Sequence, residues 1–391
     1  MVTPVKNPPA NTGIPYLLAD LDKITVQWSD ALRDWGLEFN ITDDHDERYS
    51  IQERYAPIDN IITIYDVCEL LRPYFNLSDH PGLVGFDTLG LKSLANTRRV
   101  AVEITLSATT TINLGEYLVA YSNAPSGLQH TGSVATGGIG SRFLSRCNLL
   151  AVSSGHPGAV SWFGHGETLK VKLLHYVDGI PQLTDLAKVT EEEITAEDSC
   201  NMQTYNFTLE DLAELAQIDV KDIIYADMQL FLNSAPMDSV RFMHDTRHRA
   251  HERIFAFIGA MGEPEFVAMT GSEQREAEFE GVFLMEHNDY RKADTTLRCI
   301  HTAHTGALSE GERELLWDMA ASPWVYVIEN GELREVTITE VELTDSLPHR
   351  EPTGFSVKWR YTTEKRQRTF SRTRNVPHIG IFDKTFDETF E

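Results

Sequence analysis

The sequence predicts a mainly β protein with a few short helices, arranged as two or more β-sandwich-like modules. Three observations carry that expectation. Phe355, Val357, Trp359 and Tyr361 alternate with Ser356, Lys358 and Arg360, which is the period of a strand with one buried face. Asn330-Gly331 stands between two apolar alternating runs, Trp324 to Ile328 and the run that begins with Val336 and Ile338, and reads as a hairpin turn. Segments with helical signals are few and short. The clearest is Ser309 with Glu312, a capping box that opens a helix carrying Leu315, Leu316, Trp317 and Met319, ended by Pro323.

From the N-terminus, residues 1–15 are rich in Pro and Asn and read as an extended, disordered arm. A first β-rich module is expected over 16–189. Trp35, Leu37 and Phe39 alternate, Ile61, Ile62, Ile64 and Tyr65 lead into an amphipathic segment from Val67 to Tyr74, and Val100, Val102, Ile104 and Leu106 alternate cleanly. Tyr117, Val119 and Tyr121 repeat the pattern. Ser122 to Arg142 is polar and glycine-rich, the signature of a long surface loop. Leu169, Val171 and Leu173 form a strand that closes near Asp178-Gly179. Leu186 to Asp198, with three consecutive glutamates at 191–193, reads as the linker between modules.

The second β-rich module, with short helices, is expected over 190–375. Thr208 caps a helix from Leu209 to Ala216, Met228, Leu230 and Leu232 alternate, and Ile254 to Ile258 pairs with Phe266 to Met269 across residues 259–265. Thr296 to His301 adds one more strand. Residues 376–391 form a C-terminal docking tail, because Phe382, Phe386 and Phe390 recur every four residues among acids and need a surface to cover them. Arg366, Arg368, Arg372 and Arg374 concentrate positive charge just before it, which suits an acidic neighbour.

At 391 residues with 41% hydrophobic content the chain is long enough for more than one core. Its formal charge of -25 argues against wrapping bare nucleic acid, which needs clustered Lys and Arg. No apolar run approaches a membrane span, and no charged and apolar leader opens the chain, so synthesis and folding in a cytoplasm are expected. Cys68, Cys147, Cys200 and Cys299 are scattered without a C-x-x-C pair, which predicts reduced, mostly buried thiols.

Candidate chemistry is sparse, and no catalytic residue, cofactor or metal is expected. His244, His248 and His251 would share one face of a helix, yet Arg241, Arg247, Arg249 and Arg253 crowd them, so a basic strip is the better reading. His301 and His304 read as a polar strand end. Asp43, Asp44, Asp46 and Glu47 lack the glycine of a calcium loop, and Gly137 to Ser141 lacks the lysine of a phosphate loop. Ser153-Ser154-Gly155-His156 does not match a nucleophile elbow. Paired carboxylates for glycoside hydrolysis are defined by separation in space, so the sequence leaves that alternative open.

Several stretches carry a resemblance. They are Tyr55 to Asp59 leading into Ile62 to Asp66 and Leu71 to Tyr74, Phe255 to Gly259 with Met269 to Gly271, Ala307 to Trp317, Ser322 to Tyr326, and Phe355 to Arg360, with the phenylalanine-acid ending. Together the chain resembles structural proteins encoded in the tail and baseplate gene region of phages and prophages of Bacteroidetes bacteria. The resemblance implies a non-enzymatic virion subunit of a tail, baseplate or connector. It would be made in the bacterial host cytoplasm and assemble as a homo-oligomeric ring with copies of itself and neighbouring virion proteins, without nucleic acid or membrane. One alternative is a receptor- or carbohydrate-binding protein at the tail tip, with Trp162, Phe163, His165 and His175 as a sugar platform. The other is a virion-associated glycan hydrolase.

Overall fold

The computed structural model describes the chain apart from residues 1, 7–15, 18–22, 29–34, 43–47, 56–60, 76–82, 84, 95–96, 108–109, 124–141, 146, 164–166, 187–201, 248–251, 287–288, 306–307, 309, 345–353 and 363–391. For the strands before residue 66, and for 74, 93–94, 97–99, 101–118, 279–298, 310 and 343–344, it describes the backbone alone. The fold is mainly β, as the alternation predicts, with five sheets and three short α-helices among the described residues.

Two sheets make the N-terminal part. Strands β1 (Val2–Lys6), β3 (Lys23–Trp28) and β6 (Ile61–Tyr65) form one, in the order β1-β3-β6. Strands β2 (Tyr16–Leu17), β4 (Trp35–Thr42), β5 (Arg48–Tyr55), β8 (Thr97–Ser107) and β9 (Thr110–Ala120) form the other, ordered β2-β9-β8-β4-β5. The chain passes from the first sheet at β3 to the second for β4 and β5, then back for β6, a Greek-key connectivity shared by immunoglobulin-type sandwiches. Its opening is split, with β1 antiparallel to β3 and β2 parallel to β9. Residues 2–6 are therefore a paired strand, which corrects the expectation of a disordered arm over 1–15; residues 7–15 lie outside the described residues.

Helix α1 (Val67–Leu71) continues into a 3-10 turn at Arg72–Tyr74, where Pro73 has no N–H to extend the α-helical ladder. Strand β7 (Gly90–Leu94) then leaves the N-terminal part and pairs with β14 (Met202–Phe207), which also pairs with β11 (Gly158–Phe163). A five-stranded sheet lies in the order β10-β16-β15-β12-β13, built from β10 (Leu149–Val152), β12 (Thr168–Val177), β13 (Ile180–Leu186), β15 (Ile223–Leu232) and β16 (Ala235–His244). Strands from both sides of residues 186–198 thus share two sheets.

That interleaving corrects the expected boundary between a module at 16–189 and another at 190–375. A run of glutamates marks a segment that avoids a core, and a connection inside a module meets that condition as well as one between modules. The helix between them, α2 (Leu209–Ala216), forms as expected: the Thr208 hydroxyl accepts from Asp211 N at 3.1 Å, and Asp211 Oδ2 accepts from Thr208 N at 3.0 Å.

The C-terminal sheet has seven strands in the order β18-β17-β21-β22-β23-β20-β19, all neighbours antiparallel. They are β17 (Arg253–Ile258), β18 (Pro264–Met269), β19 (Glu273–Glu286), β20 (Asp289–His304), β21 (Val325–Glu329), β22 (Glu332–Thr344) and β23 (Gly354–Tyr361). The expected β17–β18 pairing is present, with Phe255 opposite Val267. Asn330 and Gly331, at φ of 54° and 78°, close β21 onto β22 in the twist a two-residue hairpin requires. Helix α3 (Glu310–Ala321) buries Leu315, Leu316 and Met319, while Trp317 stays largely exposed beside Phe355. The expected cap residue Ser309 lies outside the described residues.

One continuous apolar core joins the five-stranded sheet to the seven-stranded one. It includes Trp162, Leu173, Phe207, Met228 and Phe242 together with Phe255, Val327, Val357 and Trp359. Aromatic rings meet edge to face within it: Phe207 with Phe242 at 4.8 Å, and Phe255 with Trp359 at 5.8 Å.

Candidate interaction face

The five-stranded sheet has one face in that core and one outside it. On β12, Leu169, Val171 and Leu173 are buried, so the intervening Lys170, Lys172, Leu174 and Tyr176 point outward. On β15 the buried Ala226, Met228 and Leu230 leave Tyr225, Gln229 and Phe231 on the outer side with Asp227. On β16 and β10 the outer residues are Ser239, Arg241 and Met243, and Leu149 and Ala151.

Register sorts these side chains into rows across the sheet. One row is apolar on all five strands: Leu183 opposite Leu174, Leu174 opposite Tyr225, Tyr225 opposite Met243, and Met243 opposite Ala151. The next row alternates in charge: Asp185 opposite Lys172, Lys172 opposite Asp227, and Asp227 opposite Arg241, with Leu149 closing the line. Cross-strand neighbours of opposite charge support each other and the register. Arg241 grips Asp227 with two hydrogen bonds of 2.6 and 2.8 Å and lies 4.0 Å from the centre of the Tyr225 ring.

The apolar row is open to water at its outer end. There, on β13, Leu183 is 56% exposed, and Tyr176 beside it on β12 is 46% exposed; Leu149, which closes the charged row on the opposite edge, is 47% exposed. Strand β13 is the sheet edge, and six of its seven residues are exposed or half-exposed. Among the described residues no strand pairs with the outer side of β13, so an apolar line on an open face runs up to a sheet edge, the kind of surface that other polypeptides commonly cover.

The residues singled out from sequence fall elsewhere. Trp162, Phe163 and His175 are 1%, 0% and 3% exposed, so they pack the interior and cannot form a sugar platform, a correction to that expectation; His165 lies outside the described residues. Arg366, Arg368, Arg372, Arg374, Phe382, Phe386 and Phe390 lie outside them as well, as do Asp43 to Glu47, Gly137 to Ser141 and most of the loop from Ser122 to Arg142. His244 ends a strand, with Nδ1 3.0 Å from Ile223 O, so it is not on the helix face drawn for it with His248 and His251; those two lie outside the described residues.

Among the described residues no three His, Cys, Asp or Glu side chains converge as a metal site. Ser153 donates to Glu252 at 2.9 Å, and His156 is buried against the Pro157 carbonyl at 2.7 Å. His301 stacks on Trp359 at 4.3 Å, with Nδ1 3.4 Å from Glu273, as part of a polar cluster in which Arg253 also holds Glu273 and Tyr361 donates to Glu329. Cys147 is buried and its thiol is pushed up to about 11 by desolvation, whereas Cys68 and Cys299 are half-exposed, so two of the three described thiols are less buried than the sequence suggested; Cys200 lies outside the described residues.

The structure adds two buried acids that sequence reading passed over as turn residues. Glu263 and Glu265 flank Pro264 at the start of β18. Burial raises both carboxyls, Glu265 to about 8; the like charges of Glu265 and Asp318 raise Glu263 further, and that of Asp318 raises Glu265. Glu263 accepts from Met261 N at 2.8 Å and fills the space where a side chain on Gly259 would sit. It staples the turn from 259 to 263. The adjoining cleft, lined by Tyr121, Asn123, Gly259, Ala260, Asp318 and Ser322, is about 30 Å³ and has no room for a sugar ring.

No family model matches the sequence, and no curated protein matches it either. Among solved structures, the fibronectin(III)-like modules of Clostridium thermocellum CbhA are similar at 11% identity and a TM-score of 0.16, over 64% of this chain and 99% of that one. Extracellular domains 3–5 of Drosophila OTK are similar at 7% identity and a TM-score of 0.21, over 85% and 95%. The eight N-terminal Ig domains of Down Syndrome Cell Adhesion Molecule are similar at 6% identity and 0.16, over 89% and 45%. At these scores the likenesses carry no functional inference, and the mainly β class rests on the sheets themselves.

Proposed function

We propose that the chain is a non-enzymatic structural protein of a bacteriophage virion, a subunit of a tail, baseplate or connector that works by packing against copies of itself and neighbouring virion proteins. The observation that supports this reading best is the apolar row Leu183-Leu174-Tyr225-Met243-Ala151 on the outward face of the five-stranded sheet. Desolvating such a row returns free energy only when a second surface covers it. The resemblance of the stretches from Tyr55 to Arg360 to tail-region proteins points the same way. In this reading the chain is made in the bacterial host cytoplasm and ends in the particle as part of a homo-oligomeric assembly.

The test is to purify particles from a strain that encodes the chain and to measure its abundance by mass spectrometry, with labelled electron microscopy to place it. Stoichiometric recovery at one site on the particle is expected. Absence of the chain from particles that are otherwise complete would overturn the proposal.

A further inference from the structure

The rows on the outer face have a symmetry that names their occupant. Read across β13, β12, β15 and β16, the charged row runs Asp185, Lys172, Asp227, Arg241, alternating minus and plus. Reversed, such a row is its own complement. A second copy laid face to face about a two-fold axis along the strands, between β12 and β15, sets Asp185 against Arg241 and Lys172 against Asp227. The same operation lays the apolar row on itself, Leu183 against Met243 and Leu174 against Tyr225. Centring the axis on β15 instead would set Lys172 against Arg241 and Asp227 against itself.

We infer that this face binds the same face of a second copy of this chain, as an isologous sheet-on-sheet contact about that axis. The inference deepens the structural reading above and rests on it for its setting in a particle. The four strands that this axis overlays, each about 4.8 Å wide, and a ten-residue β12 of roughly 30 Å give a face of roughly 600 Å² per copy, with β10 outside it. That lies near the lower end for specific contacts, so the isolated pair is reversible and salt-sensitive.

The experiment is sedimentation equilibrium of the full chain at increasing concentration and at low and high salt. Wild type is expected to approach dimer mass, with dissociation favoured by salt. Leu183→Glu is expected to weaken the pair at least tenfold, and so is Asp185→Lys, which brings like charges together at two symmetry-related places. Arg241→Glu is expected to do the same, and an equimolar mixture of the Asp185→Lys and Arg241→Glu chains to regain the wild-type affinity, because each change then meets its complement. Circular dichroism melting confirms that each variant is folded, and Leu183→Glu stands in for Arg241→Glu if loss of the Asp227 grip unfolds it.

A monomeric wild type, or variants that dimerise as well as wild type, would overturn the inference. So would folded variants that weaken alone and do not recover when mixed. Recovery of the chain in particles despite such results would leave the structural reading standing, and dimerisation of a chain absent from particles would remove that reading alone.

Discussion

Gly158 tests whether the strands on either side of residues 186–198 belong to one body. It opens β11 directly opposite Phe207, the last residue of β14, and a Cβ at Gly158 would lie 2.5 Å from Phe207 Cζ and 2.9 Å from both Cε atoms. Unstrained carbon contacts lie at about 3.5–4.0 Å, so Gly158→Ala forces the ring away by about 1 Å. The ring is held in place, edge to face with Phe242 at 4.8 Å and stacked with Tyr205 at 6.1 Å. Overpacking of this kind costs about 1–3 kcal/mol. Replacing a strand glycine by alanine offsets about 0.5–1 kcal/mol of that, which leaves a net loss of about 1–2 kcal/mol. Urea unfolding followed by tryptophan fluorescence and circular dichroism measures it, beside Phe207→Leu and the double variant. In the Phe207→Leu background Gly158→Ala should cost less than about 0.5 kcal/mol, because the obstructing ring is gone. A stabilising Gly158→Ala, or simple additivity of the two changes, would refute the β11–β14 contact and with it the single interleaved body.

Burial holds the His156 imidazole down at about 4, so its contribution is full above about 6.5 and is lost as the pH falls towards 4. The lowering to about 4 corresponds to about 3 kcal/mol, and folded His156→Gln should show a flatter acid limb in urea midpoints measured against pH. Glu265 has the opposite sign: its raised folded pKa, set first by burial, makes its contribution full below 4.5 and lost as the pH climbs to about 8. Glu265→Gln should therefore narrow the loss of thermal stability between about pH 5 and pH 8, and an unchanged slope would rule out a protonated Glu265 in the fold. At the β21–β22 turn, Gly331 has φ of 78° with open space around it, so Gly331→Ala should cost about 1–2 kcal/mol through backbone strain alone, read as a lowered unfolding midpoint.

Local order was legible in the sequence where one short stretch carries its own physics. Phe355, Val357 and Trp359 alternate along β23 and are buried, Thr208 sits three residues before Asp211 and caps α2, and Asn330-Gly331 supplies two positive φ angles for one turn. None of these needs a distant partner. The order in which strands pair does: nothing along the chain sets β7, β11 and β14 side by side, and the glutamates at 191–193 read as a module boundary although the strands flanking them share sheets. Leu174 and Tyr176 stood out of phase with the buried Leu169, Val171 and Leu173, a visible sign of apolar residues on an outer face. Their alignment with Leu183, Tyr225 and Met243, and the alternating charges beside them, came only from register between strands far apart in sequence. Alternation along a strand is a property of one backbone, whereas a row across a sheet belongs to several, and a net charge of -25 conceals it.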